Sequence, residues 1–205
     1  MSVRKSGIFY CSNKNVTAQQ FQTLLINLRL FNTFTKIKKM DSEFYLTTFR
    51  SAVEKIPKEK FDKEGLKVSV DIVLESATLK VYKPEWSGNP QSPLDAVSRI
   101  FFSIWVNDKT IREGKMYYNI HALKLRELKG YTISSRHFAQ NFRDRFLKYQ
   151  KDWPNSDIQC GPLTLMQGWI PLTTEDIQKE VCRLIQNFME VSPTIDAVLD
   201  QYKNR

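Results

Sequence analysis

Alternation with a period of two dominates the middle of the chain. In LKVSVDIVL, Val68, Val70, Ile72 and Leu74 fall on one side and Lys67, Ser69 and Asp71 on the other, the pattern of a half-buried strand. TLKVYK (Thr78 to Lys83) is expected to pair back with it across Glu75, Ser76 and Ala77. SRIFFSIWV (Ser98 to Val106) is the most apolar strand-like run, with Ile100, Phe102, Ile104 and Val106 on one face and Phe101, Ser103 and Trp105 on the other. Apolar character on both sides predicts a central strand, covered by helices on at least one face. MYYNIHAL (Met116 to Leu123) returns beside it, with Tyr118 and Ile120 on one side and Tyr117, Asn119 and His121 on the other. Two turn signals compete between these strands, Asn107-Asp108 and Glu113-Gly114. The second is favoured as the apex because glycine tolerates positive φ. Farther on, IQCGPLTLMQGWIPL (Ile158 to Leu172) has strand chemistry broken by Gly161, Pro162 and Gly168, which predicts an edge or bulged strand. GIFYCS near the N-terminus has strand composition as well.

Helical spacing takes over elsewhere. Thr17 with Gln20 forms a capping box ahead of Phe21, Leu24, Leu25, Leu28 and Phe31. Phe49, Val53 and Ile56 suit a shorter helix ending near Pro57, followed by a solvated connection from Lys58 to Gly65. LKLRELKGY reads as a basic turn or short helix ended by Gly130. Ser134 or Ser135 caps a helix whose apolar stripe is Phe138, Phe142, Phe146 and Tyr149. Thr174 begins the strongest helix, with Glu175 and Asp176 in its first turn and Ile177, Val181, Leu184, Ile185 and Phe188 as its core face. Ser192-Pro193 is expected to start a terminal helix over 193-205 carrying Ile195, Val198, Leu199 and Tyr202. Between these regions Pro84 to Pro93 breaks all periodicity, and its prolines and Gly88 predict an exposed loop bearing Trp86. Ser92-Pro93 at its end suits the start of a short helical turn.

Taken in order, these elements predict a single α+β domain over residues 1-205. Its sheet is mostly antiparallel, of about five or six strands, with N-terminal, central and C-terminal helices packed on it. A chain of 205 residues with 41% hydrophobic residues can bury a sizeable core, which composition alone does not contradict. Cys11, Cys160 and Cys182 are far apart and in no metal-ligand spacing, so free thiols in a reducing compartment are expected, with no zinc site and no cofactor. The sequence has no apolar run long enough to span a bilayer, and a cytoplasmic protein without a membrane partner is the expectation.

Charge changes the picture more. An excess of 31 Lys and Arg over 22 Asp and Glu gives +9, a field that concentrates polyanions. The basic residues cluster: Lys124, Arg126 and Lys129 lead into the Ser134 to Tyr149 helix, which carries Arg136, His137, Arg143, Arg145 and Lys148 off its apolar side. Arg136, Gln140 and Arg143 share one helical face. Such a surface suits a phosphate backbone, and Tyr117, Tyr118 and Tyr131 nearby suit stacking on unpaired bases. The leading expectation is therefore a non-enzymatic polyanion-binding protein, with nucleic acid as the ligand. No RNP-like octapeptide, KH-type GxxG or zinc-finger spacing accompanies it; a helix-turn-helix over LKLRELKGYTISSRHFAQNFR is conceivable.

Enzymatic signatures are sparse. There is no GxxxxGK[ST], GxGxxG or GxSxG, and only His121 and His137 offer imidazole. One constellation fits a metal-dependent nuclease or phosphodiesterase: Asp95 with Glu113 and Lys115, where acidic groups would hold the metal and the lysine would steady the attacking water. From a different class comes a protein-interaction module anchored by Trp86. A homodimer through the edge strand near Gly161 to Trp169 is compatible with each reading.

Overall fold

A computed structural model describes residues 40–173 and 175–204. The strand expected at GIFYCS, the helix expected from Thr17, Cys11 and the helix start at Thr174 lie outside those residues.

Five strands form one antiparallel sheet whose spatial order is their chain order: β1 (Lys67–Val73), β2 (Ser76–Tyr82), β3 (Arg99–Val106), β4 (Lys115–Leu123) and β5 (Thr164–Pro171). Helices α1 (Ser42–Glu54), α2 (Lys58–Lys63), α3 (Asp108–Arg112), α4 (Ser135–Phe146) and α5 (Ile177–Leu199) complete an α+β fold. As the apolar pattern requires, β3 is the central strand.

One face of the sheet builds the core. Leu79 and Val81, then Ile100, Phe102 and Ile104, then Met116, Tyr118 and Ile120, then Met166 and Ile170 present it from successive strands. The helices bring Phe49 and Ala52 (α1), Phe138, Phe142 and Phe146 (α4) and Val181, Leu184, Ile185 and Phe188 (α5) against it. At its centre Phe102 and Phe188 stack with centroids 4.9 Å apart. Gly168 lies opposite Tyr118 on the paired strands, and the tyrosine ring occupies the space that a side chain at 168 would need.

Several elements depart from expectation for identifiable reasons. The β1–β2 hairpin closes in two residues, Leu74 and Glu75, both at positive φ (47° and 60°), so the second strand begins at Ser76 and not at Thr78. This is the hairpin geometry ordinarily served by Asn-Gly, and neither residue announces it. The β3–β4 connection uses both of its turn signals. Asn107 caps α3 through a reciprocal capping box with Thr110, and Gly114 at φ 64° closes the return. Residues 58–65, expected as a solvated connection, contain α2, because Phe61 is buried at 7% exposure and anchors that turn. Ser92, by contrast, starts the short turn expected of it: its carbonyl accepts from the Asp95 and Ala96 amides and its hydroxyl donates to Asp95 at 2.6 Å.

Helix α5 runs unbroken through Pro193, where a separate terminal helix was expected. Proline cannot donate to the carbonyl four residues back. The Ser192 hydroxyl does so instead, reaching Met189 O at 3.1 Å, and the helix continues to Leu199.

Pro84 to Pro93 is not a wholly exposed loop. Its first residues form a 3-10 turn (Pro84–Trp86) that drives Trp86 into the core at 1% exposure, edge-on to Phe188. Trp86 is therefore unavailable as a partner-binding anchor. Its indole is needed by the core, and only Asn89, Pro90 and Gln91 at the tip are exposed within this stretch apart from Glu85.

Candidate nucleic-acid interface

Two surfaces carry cations beside aromatic or polar groups. The first is the outward side of α4. Its three buried phenylalanines fix the rotation of the helix, which leaves Arg136, His137, Arg145 and Lys148 exposed. Lys124, Arg126 and Lys129, around the 3-10 turn Leu125–Glu127, are exposed as well. Among the described residues none of these forms a salt bridge, the three ion pairs being Lys83–Asp196, Lys109–Glu113 and Arg183–Glu180. Asp144, the acid interspersed on this helix, is held by Gln140 at 2.8 Å. Lys148 lies over the Tyr149 ring at 4.7 Å.

Arg143 does not belong with them. Its Nε donates to Leu165 O at 3.0 Å, and its Nη2 lies within 2.7 to 3.0 Å of the carbonyl oxygens of Cys160, Gly161 and Thr164. It is a clamp that ties α4 to the chain entering β5. With Nε and Nη2 committed to backbone, its half-buried side chain is held against the chain entering β5, unlike the exposed cations. The expected face of Arg136, Gln140 and Arg143 thus contributes one free guanidinium.

The second surface is the other face of the sheet. The buried apolar residues of all the described helices join the core on the opposite side, and none of Phe101, Trp105, Tyr117, His121 and Trp169 is part of that core. Strand register arranges this face in rows. Trp105, Tyr117 and Trp169 are direct neighbours on β3, β4 and β5, so three half-buried aromatic rings stand side by side. With strands about 4.8 Å apart, the row spans about 10 Å. Trp105 and Tyr117 stack at 5.7 Å, and Lys115 Nζ sits 4.1 Å from the Trp169 ring centroid.

The next row is polar: Ser69, Lys80, Ser103, Asn119 and Gln167. Ser103 donates to Asn119 Oδ1 at 2.6 Å, and Asn119 Nδ2 lies 2.9 Å from His121 Nε2. Beyond it Phe101, His121 and Thr164 form a third row. Lys80 and Arg99 both lie over the Phe101 ring, at 5.2 and 5.7 Å. Burial, then the neighbouring Arg99 charge, lowers the Lys80 pKa from its ordinary value, against a smaller opposing pull from Asp71 and Asp95. Burial also lowers the His121 pKa, opposed by the hydrogen bond to the Leu163 carbonyl and reinforced by Arg99 and Lys80, which favours the neutral ring. Tyr117 is shifted upward, chiefly because its hydroxyl is hydrogen-bonded to the Glu113 carboxylate at 2.9 Å.

The residues expected to hold a catalytic metal do not meet. Asp95 precedes β3, whereas Glu113 and Lys115 lie at the start of β4, which pairs with the far end of β3 through Trp105 and Tyr117. The eight-residue strand β3, about 25 Å long, runs between their positions in the chain. Glu113 is engaged by Tyr117 and Lys115 by Trp169, and no cluster of three His, Cys, Asp or Glu groups suited to a metal occurs among the described residues. Strand β5 is a sheet edge, as expected, with a bulge opposite Ile120 and His121. Its outer side is partly occupied: Asp157 and Gln167 exchange backbone hydrogen bonds at 2.7 and 2.9 Å, and Asn155 donates to Trp169 O at 3.1 Å. No described helix is long and apolar enough to cross a membrane.

Comparison of the chain with protein-family models, with curated proteins and with solved structures gave no match to any of them.

Alternation along β3 and β4 already assigned Phe101, Ser103 and Trp105 to one face and Tyr117, Asn119 and His121 to another. What it lacked was the cross-strand register that joins the two sets, and the pairing that adds Trp169.

Proposed function

We propose that this protein is a non-enzymatic polyanion-binding protein whose ligand is nucleic acid, engaged through the basic side of α4 and the turn that leads into it. The observation that supports this reading is the set Lys124, Arg126, Arg136, Arg145 and Lys148, all exposed and without a carboxylate at salt-bridge distance among the described residues. Cations left this way keep their full attraction for phosphate oxygens. Each phosphate neutralised releases counterions, which makes binding steeply salt-dependent. His137 lies on the same exposed side and contributes a polar contact. The net charge of +9 acts in the same direction at longer range.

Retention on heparin and affinity for mixed-sequence DNA across a salt series test the reading. Replacing Arg136, Arg145 and Lys148 together by alanine is expected to weaken binding uniformly across sequences and to reduce the slope of log affinity against log salt by roughly 2 to 3. Wild-type protein that passes through heparin unretained at low salt would disprove it.

A further inference from the structure

The sheet face opposite the described helices has features that the α4 surface lacks. An aromatic row crosses three strands, Trp105, Tyr117 and Trp169, and a row of neutral hydrogen-bonding groups, Ser103, Asn119 and Gln167, lies beside it. Cations flank both rows. Lys115 is at Trp169, and Lys80 and Arg99 converge over Phe101. None of the three cations pairs with a carboxylate within 4.0 Å among the described residues. Arg99 donates through Nη1 to Ala96 O, while its buried Nε has no partner among the described residues. Two like charges held over one ring, with Asp71 and Asp95 exerting only a weaker pull on Lys80 and no carboxylate within 4.0 Å among the described residues, form a place where an anion relieves repulsion.

We propose that this face binds single-stranded nucleic acid, with bases stacking on the Trp105, Tyr117 and Trp169 row and backbone phosphates at Lys80, Arg99 and Lys115. The ligand class follows from the combination. Duplex DNA hides the faces of its bases, so an aromatic row gains nothing from it beyond charge, whereas an unpaired strand offers a π-face at every base. The amide of Gln167, exposed beside the aromatic row, adds hydrogen bonding to base edges. Acidic residues here are at the margins: Asp71 is on the edge strand β1, Asp95 precedes β3 and accepts from the Ser92 hydroxyl, and Glu113 at the rim is engaged by Tyr117. The proposal shares its ligand class with the α4 reading but uses a different surface, so the two fail separately.

The test titrates the full chain with an oligothymidine, with a duplex of equal length and with heparin at one ionic strength, following tryptophan fluorescence and anisotropy. The oligothymidine is expected to bind at least tenfold tighter than the duplex and to quench the tryptophans. Trp105→Ala and Trp169→Ala, each checked for folding by thermal melting, are expected to lose about tenfold or more for the single strand, the scale of one lost base stack, with heparin binding unchanged. Lys115→Glu, a substitution at a half-exposed position, gives the same direction without removing a ring. Equal affinity for strand and duplex, or single-strand binding indifferent to all three substitutions, overturns the proposal while leaving heparin binding through α4 intact. A dimer in solution that Trp169→Ala dissociates would overturn it in favour of a second copy on this face. Absence of binding to any of the three ligands would defeat both readings.

Discussion

The Trp86 indole nitrogen donates to an Asp196 carboxylate oxygen at 2.6 Å, joining the turn after β2 to the last turns of α5 across 110 residues of sequence. The other oxygen of Asp196 takes the Lys83 ammonium, also at 2.6 Å, and Lys83 lies over the Trp86 ring. One carboxylate thus satisfies an indole N–H that would otherwise be buried without a partner and neutralises a largely buried lysine. Burying the ring makes the larger contribution, since it fills space against Phe188.

Trp86→Ala is accordingly expected to destabilise the fold by about 3 to 5 kcal/mol through lost burial and the cavity left behind. Asp196→Ala is expected to cost about 1 to 3 kcal/mol by leaving two polar groups unpaired. Urea unfolding monitored by circular dichroism measures both. A Trp86→Ala protein as stable as wild type would show that the ring is not a core residue in solution.

How much of this was legible in the sequence depended on whether the relevant interactions were local. The β3 and β4 faces followed from alternation, and the α4 rotation from Phe138, Phe142 and Phe146 at helical spacing. Trp86 misled because proline and glycine around it marked a loop correctly, yet nothing local indicated that the ring turns inward to Asp196. Arg143 misled in the same way. On a helical wheel it resembles Arg136, and only the chain entering β5 shows that its Nε and Nη2 are already committed. Asp95 and Glu113 are close enough in sequence to suggest a shared site, but an antiparallel hairpin carries them to opposite ends of its strands.

Arg143 and Arg136 should therefore separate in experiment. Arg143→Ala releases several carbonyl oxygens near the start of β5 and is expected to lower stability by about 1 to 3 kcal/mol. Arg136→Ala, at an exposed position, is expected to change stability by no more than about 0.5 kcal/mol while weakening polyanion binding. Midpoints of urea unfolding for the two variants, set beside their heparin elution, provide the comparison. Equal stabilities would remove the clamp role assigned to Arg143.

The hairpin at Leu74 and Glu75 offers a stabilising change. Both residues hold left-handed backbone, which costs an L-residue with a β-carbon about 1 to 2 kcal/mol, and Leu74 is 93% exposed, so its side chain returns little packing. Replacing the pair by Asn-Gly, whose backbone preference matches a two-residue hairpin, is expected to raise stability by about 1 kcal/mol or more. An unchanged or lowered melting temperature would count against the strain.

His121 gives the fold a pH dependence whose sign is fixed by its surroundings. Its pKa in the folded protein lies below the ordinary 6.5, first because the ring is desolvated and further, against the opposing hydrogen bond to the Leu163 carbonyl, because Arg99 and Lys80 oppose a third positive charge. Asn119 Nδ2 at Nε2, with Thr164 and the Leu163 carbonyl at Nδ1, completes its shell. In the unfolded chain the imidazole titrates near its ordinary value. Above that value both states are neutral and the contribution to stability is fully present. As pH falls, the unfolded chain takes up the proton first, and stability is lost until the folded-state pKa is reached. His121→Gln, which cannot be protonated in this range, is expected to show a shallower loss between about pH 7.5 and about pH 5. Urea unfolding of the two proteins at both pH values provides the measurement. Identical pH dependence would mean that His121 is protonated as readily in the folded chain as in the unfolded one.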